Sequence, residues 1–340
     1  MPDSLARQPA GLTSRMTLPE VFELVSDDLR DIEVRIGALE RPDIPLSAEI
    51  AEHVLTMRGK RVRPLLLLLV SRLGAAANRD DVLWAATVVE LVHTATLLHD
   101  DCLDGTETRR GLATVNHRWG QHAAILMGDW LFTKGFDLLC EHRLHDALHI
   151  LVQHTQRMTT GMNRELASRH DSALPVEEYL RVIDEKTGAL FVASCEIGAV
   201  LGGLDERQAA GMSEFGRDLG YAFQIIDDIF DFTGDPSDLG KPIGTDFRLG
   251  FATLPLLYAW ETGDPETGRR VAEWFREGEL TDENWDVVRR FVLESGGIER
   301  ARAEALAYAY SARDRLAALN GHEGVAPLLA TVEYMIARGR

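Results

Sequence analysis

Leu97-Leu98-His99-Asp100-Asp101-Cys102-Leu103-Asp104 closes an apolar run with three carboxylates, and Phe223-Gln224-Ile225-Ile226-Asp227-Asp228-Ile229-Phe230-Asp231 does the same much later in the chain. Both read D-D-x-x-D at helical spacing. On a helix, residues i and i+4 share a face. Asp100 and Asp104 therefore point together, as do Asp227 and Asp231, while Asp101 and Asp228 stand about 100° round the axis. Like carboxylates at this spacing repel and weaken an isolated helix. One such cluster reads equally as a solvated helix end; two, each behind apolar residues, predict a cation between them. Oxygen-only ligands suit a hard ion such as Mg²⁺, which takes one or two carboxylates and leaves its other positions to phosphate and water.

The helix that carries the first cluster is predicted from Val82 to about Asp104. It is apolar nearly all round and so central. It contains Glu90-Leu91-Val92-His93. E-x-x-H is also a ligand pattern of di-iron bundles, but no second E-x-x-H completes it, and His93 reads as a hydrogen-bonded core histidine unless phosphate lies above it. Just behind the cluster, in a loop from Gly105 to Val115, come Arg109-Arg110-Gly111. They read either as charge compensation or as a clamp for a diphosphate bridged to the carboxylates by metal. Upstream lies Arg58-Gly59-Lys60-Arg61-Val62-Arg63-Pro64, the one dense basic cluster. Arg offers phosphate a planar fork and Lys a point charge. A solvated turn and a nucleic-acid patch are the other readings.

The charge balance decides against the nucleic-acid reading. With 36 basic and 54 acidic residues the net charge is −18, a surface that repels nucleic acid and anionic membrane. A small phosphorylated ligand fits the basic cluster better. Farther on, Lys186-Thr187-Gly188 sits beside apolar sequence and invites an anionic partner. Gly240-Lys241-Pro242-Ile243-Gly244-Thr245-Asp246 is a Gly-rich loop with one Lys and lacks the P-loop order. His142, His145, His149 and His154 have no carboxylate or Cys to complete a metal site and read as surface or core-edge residues.

A chain of 340 residues suggests two domains as a prior. No strand-like alternation appears, however, and helical periodicity runs to Arg340. The class read here is all-α, one large helical bundle over residues 18–340 behind an N-terminal tail of residues 1–17. Thr17-Leu18-Pro19-Glu20 reads as an N-cap with Pro in the first turn, opening a helix to about Leu39, and Ser47 reads as the cap of a helix through Met57. Three widely spaced cysteines show no disulfide or zinc pattern, which fits a reducing cytoplasm. The longest aliphatic run, Leu65–Val70, is far short of a membrane span, and no secretion signal appears.

Together these pieces, in order and spacing from about Met57 to Tyr258, resemble the trans-isoprenyl diphosphate synthases, the polyprenyl synthetase family. The resemblance implies a bundle around a deep apolar cavity, usually a homodimer. It implies Mg²⁺-dependent chain elongation, in which the double bond of isopentenyl diphosphate attacks the cation left when an allylic diphosphate ionises. It implies three Mg²⁺ ions, held by Asp100 with Asp104 and by Asp227 with Asp231, with Asp101 and Asp228 in the same motifs. Arg109, Lys186 and Lys241 would grip the allylic diphosphate; Lys60, Arg63, His93 and Arg110 would bind isopentenyl diphosphate; Thr187 and Gln224 would border the cation. The pattern departs from the family at Arg58, where Gly is usual, and at Leu249 and Phe251, where charged residues are usual.

Counting back from Asp100, Thr96, Ala95, Val92 and Val89 are expected to line the cavity. In short-chain members a ring near Ala95 or Thr96 blocks the growing tail; here there is none. The product expected is longer than C20, about C30–C40, with Phe132, Leu131 and Phe136 as floor candidates or ordinary core. The alternatives are a short-chain (farnesyl or geranylgeranyl) synthase, a class I terpene cyclase, whose second metal motif differs, and a non-catalytic partner subunit, which would not need both aspartate clusters.

Overall fold

The structure is a computed structural model that describes residues 16–57, 59–109, 111–234, 243–278, 280–319, 322 and 324–338. Its helices are α1 (Leu18–Leu24), α2 (Ser26–Gly37), α3 (Pro45–Leu55), α4 (Val62–Ser71), α5 (Arg79–Asp104), α6 (Val115–Trp119), α7 (Gln121–Glu141), α8 (His145–Ala167) and α9 (Val176–Ile183). A π-turn, Asp184–Gly188, leads into α10 (Ala189–Gly202) and α11 (Glu206–Thr233). Then follow α12 (Thr245–Leu249), α13 (Leu254–Thr262), α14 (Pro265–Glu277), α15 (Asp282–Glu294), α16 (Gly297–Leu316) and α17 (Val325–Arg338). The all-α class holds, with one addition. Residues expected in a loop form a short antiparallel hairpin, Thr108–Arg109 with Leu112–Ala113, paired Thr108 to Ala113.

Helix starts follow local chemistry. Thr17 and Glu20 form a capping box ahead of Pro19, which satisfies orphan N–H groups of the first turn. The long first helix expected to Leu39 is instead broken at Val25, whose backbone leaves helical geometry (φ −115°, ψ 13°). The next helix starts at Pro45 rather than at a Ser47 cap, because Pro is preorganised for the first helical position. Asn78 caps α5 by accepting the Asp80 N–H at 3.0 Å. Gly105 ends α5 in the left-handed conformation (φ 63°), which Gly adopts without a Cβ penalty.

α5 is the centre of the bundle. Leu83, Ala86, Val88, Val89, Leu91, Val92 and Ala95 are all buried. By length and composition it is apolar enough to cross a membrane, yet 67% of its most apolar stretch is buried inside the protein. Its partner α7 comes close where it carries glycine. A Cβ on Gly128 would lie 2.3 Å from the His99 ring, and one on Gly135 would lie 3.0 Å from Val88. On the other side, α10 packs against α4 through Gly198, where an added Cβ would stand 2.7 Å from the Leu67 carbonyl oxygen. Backbone cannot yield as a side chain can. Gly198→Leu is therefore expected to destabilise the protein by about 1–3 kcal/mol, the usual cost of overpacking, as read by denaturant unfolding. An unchanged or raised midpoint would contradict this packing.

Candidate active site

The first cluster divides by burial. Asp100 and Asp104 are half-buried and face a cleft. Asp101 is only 3% exposed and accepts the Arg109 guanidinium as a fork, Nε at 2.9 and 3.1 Å and Nη2 at 2.7 Å. Arg109 sits in the hairpin, so the pair ties the loop to the end of α5. Asn116 reinforces this tie by donating to the Asp101 and Thr106 carbonyls at 3.0 and 2.9 Å. The fork expected to grip a diphosphate is here committed to Asp101.

Opposite stands the π-turn. A π-turn adds a residue to the helical register and re-aims its side chains. Two glycines let the neighbouring helices wedge against it. A Cβ on Gly161 of α8 would lie 2.4 Å from the Lys186 nitrogen, and one on Gly220 of α11 would lie 2.9 Å from the Gly188 Cα. Arg157 holds Asp184 at 2.8 Å and Arg164 holds Glu185 at 2.9 Å. So fixed, Lys186 points into the cleft. It donates to Glu165 of α8 and lies 3.9 Å from Asp100. Thr187 donates to the Gln224 oxygen at 2.7 Å.

The second cluster gives its three carboxylates three different surroundings. Asp227 pairs with Arg338 of α17 at 3.1 Å. Asp228, 3% exposed, accepts from Gln224 at 2.8 Å and from the Tyr179 hydroxyl at 2.6 Å. Asp231 is fully buried and accepts the Thr245 and Asp246 N–H groups, each at 3.2 Å. It thus anchors the first turn of α12 and brings Asp246 to the cleft.

Asp104, Glu165, Lys186, Thr187, Gln224, Asp228 and Asp246 line one cavity between the two clusters. Four of these are carboxylates and one is an ammonium. Burial, then Asp100, Glu165 and Asp246, push the Asp104 carboxyl up to about 6, against the pull of Lys186. Burial likewise raises Glu165 and Asp228. Burial opposes the charge on Lys186, but Asp100 and Glu165 more than offset it and raise its pKa, so it stays an ammonium. Such surplus negative charge fits a hard divalent ion. Among the described residues no three carboxylate, His or Cys groups converge to enclose one. Phosphate and water would have to complete its shell, the usual Mg²⁺ arrangement.

The basic segment splits in a similar way. Arg61, a non-glycine residue at φ 52°, is buried and paired with Glu33 at 2.6 Å and with Glu90. Lys60 stays exposed. The Arg63 guanidinium lies 3.1 Å from His93 and 4.9 Å above the Phe191 ring. The E-x-x-H of α5 therefore meets two arginines of the α4 start. Lys60 borders a second, mostly apolar cavity with Phe191, Phe223 and Arg338. Arg58, Arg110 and Lys241 lie outside the described residues. Of the positions expected to govern product length, Val89, Val92 and Ala95 are fully buried and Thr96 is 8% exposed. Val92 packs towards Gly135, and Phe132 lies 5.7 Å from the His99 ring and 6.3 Å from Phe136. Phe251 is part of the cleft wall, with the Arg169 guanidinium 5.8 Å above its ring.

Sequence reasoning missed Glu165, Asp246, Tyr179 and Arg338. Tyr179 stands two helical turns before Lys186, a signal that was present; Asp246 closes the Gly-rich loop. Nothing in the sequence marks Glu165 or Arg338, which reach the site from distant helices.

The polyprenyl synthetase family model matches residues 44–290. The octaprenyl diphosphate synthase of Haemophilus influenzae is 33% identical over 294 residues, 85% of this chain and 89% of that one. The nonaprenyl diphosphate synthase of Mycobacterium tuberculosis is 36% identical over 289 residues, 84% of this chain and 85% of that one. Matches extend to geranylgeranyl diphosphate synthases. Among solved structures, a polyprenyl synthase from Caulobacter crescentus complexed with calcium and isoprenyl diphosphate superposes with a TM-score of 0.89 at 33% identity, covering 98% of this chain and 99% of that one.

Two outcomes follow from the cleft. Asp104 binds its proton more tightly in the folded state than its ordinary value of 3.8 would allow, so metal-free protein gains stability as pH falls through about 6. A divalent ion competes with that proton. Its addition is expected to raise the unfolding midpoint most at pH 8 and progressively less below about 6; an increment that grows towards acid would contradict the arrangement. Gly161→Val is expected to displace the π-turn and lower turnover about 100-fold, the scale of an ångström-sized misplacement, as a steady-state assay would read.

Proposed function

The chain belongs to the polyprenyl synthetase family and is a trans-prenyltransferase of the long-chain type, and we propose that it joins isopentenyl diphosphate to an allylic diphosphate in the cleft between its two aspartate clusters. The observation that carries the reading is that cleft: Asp104 from one cluster, Asp228 from the other, and Lys186, Thr187 and Gln224 between them. The allylic C–O bond breaks as diphosphate leaves, a C–C bond forms to the isopentenyl double bond, and the proton lost as the alkene is restored passes to the released diphosphate.

Divalent metal, proposed to be three Mg²⁺ ions, supplies charge stabilisation to the departing diphosphate. Asp100 and Asp104 would hold it on one side. On the other, Asp227 and Asp231 are expected from the motif, and Asp228 and Asp246 line the cavity. Lys186 binds the leaving group and keeps its ammonium because Asp100 and Glu165 stand beside it. Moving Lys186 from Glu165 to diphosphate exchanges one anion for another. Thr187 and Gln224 turn oxygen towards the cation. The apolar wall of Leu174, Val182, Ile183 and Phe251 limits water, which would quench it. Lys60, Arg63, His93 and Arg110 would bind isopentenyl diphosphate, while Arg109 and Lys241 complete the allylic set; for Arg109 this requires release from Asp101.

We read the product as C30–C40, since no aromatic ring stands at Ala95 or Thr96. A homodimer is supported by apolar residues exposed near the end of α5, the hairpin and the start of α7: Leu103 at 52%, Leu112 at 42%, Ile125 at 43% and Leu126 at 67%. Exposed apolar patches mark association surfaces. Acidic charge and unpaired cysteines fit a cytoplasmic site.

Incubation with Mg²⁺, isopentenyl diphosphate and each of dimethylallyl, geranyl, farnesyl and geranylgeranyl diphosphate, followed by mass spectrometry, is expected to give products of C30 or longer. A stop at C15 or C20 would refute the length, and no condensation with any primer would refute the reaction. Lys186→Ala is expected to lower kcat/KM by roughly 100- to 1,000-fold, the scale of losing one charge-stabilising donor. Leu126→Glu is expected to convert a dimer to monomer by light scattering; an unchanged mass would move the interface elsewhere.

A further inference from the structure

We propose that Tyr179 is a positioning residue for prenyl transfer: through Asp228 it fixes which ends of the Gln224 amide and the Thr187 hydroxyl face the cleft. This rests on the reading of the cleft as the prenyl-transfer site.

Tyr179 lies on α9, 4% exposed, and donates to one Asp228 oxygen at 2.6 Å. The other Asp228 oxygen accepts from the Gln224 amide nitrogen at 2.8 Å. The Gln224 oxygen in turn accepts from Thr187 at 2.7 Å. The four residues form one chain of hydrogen bonds with a definite polarity. Both Asp228 oxygens accept, one from Tyr179 and one from Gln224, so Gln224 presents its NH₂ to Asp228 and its oxygen to Thr187. With its proton committed to Gln224, Thr187 has only lone pairs left for the cleft. Both residues, with Tyr179 and Asp228, line the same cavity.

That polarity matters for a reaction that develops positive charge. Oxygen lone pairs stabilise an allylic cation, whereas N–H and O–H dipoles would oppose it. A carboxylate held by one donor can rotate, and Gln224 can then flip its amide and turn donors outward. The phenol removes that freedom by holding the second oxygen. Burial and the neighbouring Asp228 raise the Tyr179 pKa, which keeps its proton available to donate. Tyr179 itself touches no reacting atom in this scheme; it acts only through Asp228.

The test is a double-mutant cycle on the full-length enzyme with Mg²⁺, isopentenyl diphosphate and geranyl diphosphate. Tyr179→Phe is expected to lower kcat roughly 10- to 100-fold with the KM for geranyl diphosphate unchanged. Asp228→Asn breaks the chain at its centre, so adding Tyr179→Phe to it is expected to cost less than about twofold more, the non-additivity of coupled residues. An equal loss in both backgrounds, a KM-only effect, or unchanged kcat would overturn the proposal. Should Phe leave a hole that unfolds the site, 4-methylphenylalanine and 4-aminophenylalanine at position 179 fill the same space without and with a para donor. The amino variant is then expected to restore kcat and the methyl variant not; equal rates would overturn the assignment. A wild-type enzyme that elongates no primer would refute the underlying reading first, and the proposal with it.

Discussion

Everything at the heart of this molecule depends on carboxylates held closer together than they would choose. Among the described residues, Asp104, Glu165, Asp228 and Asp246 share one cavity with a single ammonium, that of Lys186, and burial, added to by neighbouring carboxylates, pushes the Asp104 carboxyl up to about 6. No helix would gather such charge for its own sake, since like charges a turn apart weaken it. The cost is met by rigid supports outside the cavity. Arg109 neutralises Asp101, Arg157 and Arg164 neutralise the flanks of the π-turn, and the Thr245 and Asp246 N–H groups donate to Asp231. Each aspartate motif thus spends part of its carboxylate set on geometry, and Asp104 and Asp228 line the cleft.

The supports are backbone as much as side chain. Gly161 and Gly220 allow two helices to close on the π-turn within distances that no Cβ would tolerate. Gly128 does the same for His99 immediately before the first cluster. A residue that only fills space elsewhere is here a determinant of where Lys186 and Asp100 stand. Precision of this kind is what catalysis by preorganised charge requires, because the stabilisation comes from dipoles that need not move when charge develops.

Much of this was legible in the sequence, and the limits are physical. The two D-D-x-x-D motifs, the all-α class and most helix positions follow from periodicity and capping, which are local. The π-turn was not legible, since its extra residue leaves the apolar pattern of Val182, Ile183 and Ala189 looking like one continuous helix. The break at Val25 has no Gly or Pro to announce it. Spacing alone also treats the aspartates of a motif as equivalent at i and i+4. The fold separates them, burying Asp231 under α12 and leaving Asp227 to Arg338, because what packs on each face is decided by residues far along the chain. Glu165 and Arg338 enter the site for that same non-local reason.

On the proposed reading, the central helix also sets the distance between the two substrate sites. His93 and Asp100 are seven residues apart, nearly two full turns, so they share one face of α5 at a separation of roughly 10 Å. Arg61, clasping Glu33 and Glu90, fixes the start of α4 against that helix and with it the Arg63 that meets His93. The basic cluster and the acidic cleft are thus mounted on one rigid rod, with one diphosphate proposed for each. A condensation that must bring two tails together while keeping two diphosphates apart needs such a spacing. Here helix geometry supplies it.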